Sequence, residues 1–266
     1  MRPALRRAYV RFAVLVIAVL LLSACATLSP PTVSHFPDAD AGREVTAAWA
    51  RVLERFVDAQ GRIDFDNLAR DRVDLDRYVA WIYRTDPNNH PAWFPTREHV
   101  LAYHLNAYNA LAMYNVLDAG VPKTLAGARK VSFFFLRRMQ VGGTLTSLYA
   151  YENDVLRGFG EPRVHFALNC MSVSCPRLPR EPFSAQQLNM QLNRETRYFF
   201  AETRNVRIDQ AARTLYLSEI LDFYTEDFLA QAASLPAYVN RYRTAKIAED
   251  YTIKFHPYDW TINRQP

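Results

Sequence analysis

The sequence predicts an α+β fold: one mostly helical domain with a small, irregular, mainly antiparallel sheet and a central buried helix over about residues 96–118. Three observations predict it. Apolar residues recur at helical spacing in several long stretches, of which Gly42 to Asp58 is the clearest. Short aromatic and β-branched runs lie between them, without the regular alternation that a parallel doubly wound sheet requires. Half of the residues are hydrophobic and only eight are glycine, which is the composition of a folded domain rather than of a disordered or repetitive chain.

In chain order, the first segment lies outside that domain. Arg2, Arg6, Arg7 and Arg11 precede an uncharged stretch from Phe12 to Leu22, and Leu22-Ser23-Ala24-Cys25 follows. A basic start, a short apolar run and a small-residue site read as a secretory signal over residues 1–24. The apolar run is about half of the ~20 residues that span a bilayer. The tetrapeptide resembles the lipobox of bacterial lipoproteins. That resemblance implies a cut before Cys25, lipidation of its thiol, and the membrane as a partner through this anchor. Ala26 in place of aspartate resembles outer-membrane sorting, so the expected location is the outer membrane, facing the periplasm.

Charge and cysteine use change once the leader is set aside. The net charge is +5, and residues 1–24 contribute four arginines and no acid. The rest of the chain is close to neutral, so a nucleic-acid partner, which needs a basic footprint, is not expected. Three cysteines become one anchor and one pair, Cys170 and Cys175, which in an exported protein reads first as a disulfide.

Residues 25–41 contain Pro30, Pro31 and Pro37 and no hydrophobic period, and read as a tether. Some 15 extended residues reach roughly 50 Å. The domain then covers residues 42–266. Its first helix, Gly42 to Asp58, is followed by a turn at Gln60-Gly61 and a short extended piece, Arg62 to Phe65. Five aspartates and three arginines between Asp64 and Arg77 lack the spacing of a calcium loop and read as a solvated helical face. Thr96 is placed as the N-cap of the central helix, which Gly120 and Pro122 stop. Apolar residues occur nearly all round this helix, so it should be buried. Val131 to Leu136 and Met139 to Val141 read as strands ended by Gly142-Gly143. Phe133, Phe134 and Phe135 beside Lys130, Arg137 and Arg138 suit a core strand flanked by solvated charges, with a membrane-surface patch as the alternative. Ser147 to Arg157 and Phe183 to Glu202 read as helices, and Val164 to Leu168 as a strand. Val206 to Asp209 and Thr214 to Ser218 form a hairpin, short helices follow to about Lys246, and Tyr251 to Phe255 is a final strand.

Chemistry concentrates in residues 165–176. His165 and Asn169 are followed by Cys170, Ser172, Ser174, Cys175 and Pro176, on a chain that leaves through a proline-rich loop. One reading is a thiol enzyme, with Cys170 or Cys175 as nucleophile and His165 as general base. On a strand, His165, Ala167 and Asn169 would share a face and Cys170 would point away, so a His165–Cys170 dyad requires a break near Asn169. Otherwise the base comes from elsewhere, for example His256, which precedes Asp259. A second reading is a Cys170–Cys175 disulfide closing a tight loop. A third is zinc held by both cysteines and His165, which an oxidising compartment disfavours. No metal and no cofactor is therefore expected.

The helix motif Asn106-Ala107-Tyr108-Asn109-Ala110-Leu111 resembles the N-x-Y-N-A-L of the family catalogued as domain of unknown function 547. So do Ser147-Leu148, Glu152-Asn153 and Leu156-Arg157, the His165-to-Pro176 segment, and Tyr258-Asp259-Trp260-Thr261-Ile262-Asn263. Tyr103-His104-Leu105 departs from that family's aromatic-tryptophan-apolar triplet. The resemblance implies a shared fold and site, and no established reaction. The candidate catalytic residues are His165, Cys170, Cys175, Glu152 and Asp259. The candidate substrate-binding residues are Asn106, Tyr108, Asn109 and Asn169. Two classes of function follow: a thiol- or histidine-dependent hydrolase or transferase on a peptide or amide of the cell envelope, or a non-catalytic envelope binding or scaffold module. The partner beyond the membrane is an unidentified envelope substrate or protein.

Overall fold

The computed structural model describes residues 27–31 and 41–266. The leader, the lipobox with Cys25, and residues 32–40 lie outside the described residues. Helix α1 (Ala41–Phe56) buries Val45, Ala48, Trp49, Val52, Leu53 and Phe56, the stripe its helical spacing selects. Helix α2 (Phe65–Arg70) is capped by Asp64, whose carboxylate accepts the Asn67 N–H at 3.0 Å. Helix α3 (Val73–Arg84) packs on α1, with Tyr78 stacked on Trp49 at 5.5 Å between ring centroids. The aspartates here are surface ion-pair partners: Asp74 with Arg51, Asp71 with Arg55 and Asp76 with Arg72.

Helix α4 (Arg97–Asp118) is the axis of the molecule. The Thr96 hydroxyl accepts the His99 N–H at 3.4 Å, as an N-cap should. Every residue from Leu101 to Leu117 is buried, so this helix has no solvent face. Gly120 ends it in the left-handed region, at φ +72°.

The next segment departs from the strand reading. Ala128–Val131 forms α5 and continues as a π-helical turn over Ser132–Leu136. An apolar run this short fits a strand or a helix equally, and packing decides. Here the Asn115 side chain donates to the Phe133 carbonyl at 3.3 Å, and Phe133 enters the core at 2% exposure. Strands β1 (Met139–Val141) and β2 (Thr144–Thr146) then pair antiparallel around Gly142-Gly143. Helix α6 (Leu148–Ala150), capped by Ser147, runs on as a π-helical segment over Tyr151–Leu156.

Val164 to Leu168 is likewise not a strand. Pro162–Phe166 is a 3₁₀ helix, with Pro162 in its first turn and the Glu161 carboxylate accepting the Arg163 N–H. Proline pre-sets the helical φ and the acidic cap satisfies a free donor, which outweighs the β character of the run. Helix α7 (Leu188–Ala201) starts later than the periodicity suggests. The reason is that the Phe183 and Ser184 N–H groups bond to the Asn106 and Gln191 side chains instead. Strands β3 (Val206–Asp209) and β4 (Thr214–Ser218) form the expected hairpin, and β5 (Thr252–His256) joins β4 in parallel. Between them lie α8 (Ile220–Phe223), α9 (Thr225–Leu229) and α10 (Leu235–Asn240). The fold is α+β in one domain, with a small antiparallel sheet and a mixed one.

Two apolar cores meet along the 3₁₀ helix. Val164, Ala167 and Leu168 belong to the larger core around α4, while Phe166 belongs to the second, with Phe199, Phe200, Leu217, Phe228 and Tyr238. His165 is thereby held at the seam. Residues 27–31, inside the segment read as a tether, lie against the body. The Leu28 N–H donates to the Arg138 carbonyl at 2.7 Å, and Leu28 is 2% exposed.

Candidate active site

His165 is the centre of the site because its neighbours come from both cores. Its Nε2 lies 2.8 Å from an Asp227 carboxylate oxygen, from the first turn of α9. Arg157 donates to both oxygens of the same carboxylate, at 2.7 and 2.8 Å. The guanidinium, and then the imidazole, hold the Asp227 carboxyl well below the usual carboxylate range. On its flat face His165 stacks with Tyr224, 3.8 Å between ring centroids. Its other nitrogen, Nδ1, is buried and has no hydrogen-bond partner among the described residues. The nearest acid to Nδ1 is Glu152, at 3.9 Å. Glu152 accepts the Tyr108 hydroxyl at 3.0 Å, and burial together with this carboxylate pushes the phenols of Tyr108 and Tyr224 well up. Imidazole orientation is therefore set by Asp227, leaving Nδ1 as the atom available for proton transfer.

A cavity of about 70 Å³ is lined by His165, Glu152, Cys170, Cys175, Tyr224 and Tyr258, among others. The break that a His165–Cys170 arrangement requires is present. Asn169 accepts the Met171 N–H on its own side-chain oxygen at 2.7 Å, and Met171 turns into the left-handed region at φ +69°. This local turn, after a 3₁₀ helix, sends the chain back toward the cavity, which strand alternation would not. Cys170 and Cys175 lie at disulfide distance, with Cα atoms 6.3 Å apart. The Cys175 sulfur receives the Cys170 N–H at 3.0 Å and lies 3.1 Å from the Tyr258 hydroxyl. Neither sulfur is within hydrogen-bond reach of His165 Nδ1.

The structure brings together five of the residues singled out from the sequence: His165, Glu152, Tyr108, Cys170 and Cys175. It does not bring the others. Asn106 bridges the backbone of Phe183 through both side-chain atoms and accepts the Trp49 indole N–H. It lines a separate aromatic pocket with Tyr78, Trp81 and Phe94. Asn109 donates to the Ala167 carbonyl and accepts the Asn169 N–H, and Asn169 also ties the Pro176 carbonyl at 2.7 Å. These amides are spent on backbone, as buried amides generally are, and hold the loop rather than face the cavity. Asp259 is an exposed turn residue whose carboxylate accepts the Thr261 N–H. It still belongs to the setting, because its backbone pairs with Ser174 and so lays the Tyr258–Asn263 segment on the cysteine loop.

Two other histidines are elsewhere. His104 meets the Tyr151 hydroxyl at 2.7 Å, and burial lowers its pKa to about 4. His256 stacks on Tyr216, with its pKa lowered by burial and then by Arg207. Among the described residues no group of three or more His, Cys, Asp or Glu side chains could hold a metal ion. Asp227 and Tyr224 were missed by sequence reasoning, and Arg157 was noted only as part of a motif. Asp227 looks like any first-turn acid of a short helix, and nothing local connects it to a histidine 62 residues away.

No curated protein and no solved structure matches the chain significantly. Residues 94–200, which run from the start of α4 through Glu152, His165 and both cysteines into α7, match the model of a family described as protein of unknown function, DUF547, and the site's His165, Glu152 and cysteine pair are thus similar to that domain family while Asp227 and Tyr258 fall outside the match.

Proposed function

We propose that this chain is a cell-envelope lipoprotein that acts as a histidine-dependent hydrolase or transferase on a peptide or amide substrate. One observation carries the catalytic part: a buried imidazole clamped on Nε2 by an arginine-bound aspartate, with no hydrogen-bond partner on Nδ1 among the described residues, beside a cavity that also holds two sulfurs. In the dithiol state the Cys170 side chain, freed from its bridge, turns into the cavity and gives its proton to Nδ1. The thiolate adds to the substrate carbonyl carbon. Nδ1 returns the proton to the leaving amine as the thioester forms. Water, or an acceptor amine in a transferase, then loses a proton to Nδ1 and releases the acyl group. Asp227 on one side and Glu152 on the other stabilise the imidazolium during each transfer. In the disulfide state there is no nucleophilic thiol, so activity requires a dithiol reductant.

The non-catalytic module is the second reading, and the bridged cysteines together with the backbone-bound asparagines favour it. Alkylation separates the two. After reduction, iodoacetamide is reacted with the protein across pH 5 to 10 and each cysteine is followed by mass spectrometry. A Cys170 thiol activated by His165 reacts below pH 7, and His165→Ala moves its profile up to the ordinary thiol range near 8.5. Ordinary profiles in both proteins remove the thiol mechanism. For the anchor, a clickable palmitate analogue should label the chain in cells and fail to label Cys25→Ser.

A further inference from the structure

The segment behind the anchor position is docked rather than free. Thr27 forms a parallel bridge to Arg138, and the hydroxyls of Tyr83 and Tyr114 donate to the carbonyls of Leu28 and Ser29 at 2.9 and 3.0 Å. Cys25 precedes Thr27 by two residues, which span about 7 Å at full extension. A lipid on Cys25 therefore enters its bilayer close to Arg138, and not at the end of a tether of about 50 Å.

The surface at that point has the chemistry of a lipid contact. Residues 119–151 contain Lys123, Arg129, Lys130, Arg137 and Arg138 and no aspartate or glutamate, in a chain that is otherwise close to charge balance. Arg137 is paired with Asp118, and Lys130 lies over the Trp260 ring; Arg129 and Arg138 are exposed. Val131, Phe135, Leu145 and Tyr149 are large apolar side chains from 40 to 51% exposed. Two of them pack together: the Phe135 and Tyr149 rings lie 4.4 Å apart between centroids. Leu145 pairs with Gln140 in the hairpin that begins beside Arg138. Exposed aromatics and exposed basic residues carried by one short stretch of chain that has no acid of its own are the composition of an interfacial membrane contact.

We infer that the face formed by Phe135, Tyr149, Leu145, Arg129 and Arg138 lies on an anionic phospholipid bilayer. The aromatic rings enter the headgroup layer and the guanidinium groups meet lipid phosphates. This rests on the lipoprotein reading of Cys25 and adds to it an orientation. The same π-helical turn supplies Phe134 to the lining of the His165 cavity and Phe135 to this face, so the seat holds the cavity wall against the membrane.

The test uses the full chain, expressed, processed and reconstituted into phosphatidylethanolamine–phosphatidylglycerol vesicles with acyl chains brominated near the headgroup. Phe135→Trp reports the face, and Met190→Trp, exposed on α7 outside residues 119–151, is the control; intact mass reports lipid on Cys25. The expected result is at least twofold quenching of the added Phe135→Trp emission and none of the Met190→Trp emission. If Cys25 carries lipid and the two are quenched alike or not at all, the face is wrong while the anchor stands. If Cys25 carries no lipid, the anchor reading fails and the face is judged by flotation of that protein with the same vesicles. Flotation that falls at least tenfold in Arg129→Glu/Arg138→Glu keeps the face, and absence of flotation overturns it.

Discussion

Replacing Asp227 with asparagine tests whether the seam between the two cores is held by the relay from Arg157 to His165. The wild-type carboxylate accepts three bonds: two from Arg157, at 2.7 and 2.8 Å, and one from the imidazole at 2.8 Å. The substituted amide keeps its oxygen where Oδ2 accepts Arg157 Nε and the imidazole, and turns its NH₂ group toward the other Arg157 nitrogen, so one bond is lost outright and the two that remain lose their charge without a change in shape. A charge-assisted bond is worth roughly 1.5–3 kcal/mol when buried and about 0–1 kcal/mol when exposed. Asp227 and Arg157 are each about a quarter exposed, so about 1 kcal/mol for the lost bond and about 0.5 kcal/mol for each bond that loses its charge is appropriate. The expected loss is about 2 kcal/mol in urea unfolding at pH 7, or a fall in Tm of roughly 4–8 °C for a chain of this size. The effect has a pH signature. The folded-state pKa lies below the unfolded value, so the stability the carboxylate contributes is complete above about pH 4 and is lost as the pH falls further. The gap between wild type and Asp227→Asn should therefore close in acid. In the reduced protein, the alkylation profile of Cys170 should also move toward that of an ordinary thiol. A variant within about 0.5 kcal/mol of wild type at pH 7, with an unchanged acid limb, would refute the relay.

Three further outcomes follow from the same contacts. Burial holds the His104 pKa at about 4 against an ordinary 6.5, so its contribution is complete above about pH 6.5 and is lost as the pH falls toward 4, about 3 kcal/mol at most; His104→Gln should flatten the unfolding free energy over this window. Asn109→Ala leaves the Asn169 N–H and the Ala167 carbonyl without their partners, which should cost about 2–4 kcal/mol in urea unfolding, whereas a loss under about 1 kcal/mol would mean the loop is held by other contacts. Gly61→Ala places a Cβ 2.6 Å from Arg177 Cβ and Leu178 N at φ +76°; a loss of about 2–3 kcal/mol should appear as a lower Tm.

Much of the helical frame was legible because its signals are local. The stripe of α1, the Thr96 cap and the all-round apolar pattern of α4 are periodicities and end signals that act within a few residues, and the structure reproduces them. The β3–β4 hairpin was legible for the same reason. The segments that changed type, residues 131–136 and 164–168, are apolar runs of five or six residues. In these, the choice lay with a distant amide, Asn115, in one case and with Pro162 and its Glu161 cap in the other. The candidate site divides along the same line. His165 and the cysteines stood out as a dense run of reactive types, but their geometry could not be read, because the strand assumed there is a 3₁₀ helix followed by a turn at Asn169.

By itself, then, the sequence determined the fold class, the central helix, the fact that polar chemistry gathers at residues 165–175, and the family resemblance that residues 94–200 support. Only the tertiary structure decided that His165 answers to Asp227 and Arg157, and that Asn106, Asn109 and Asn169 clamp backbone. It also decided that residues 27–31 dock beside Arg138. The reason is range. Periodicity and capping are written within a turn or two of chain, whereas contacts such as Arg157 to Asp227, 70 residues apart, exist only because two apolar cores pack on opposite sides of one short helix and carry their polar edges to the same seam.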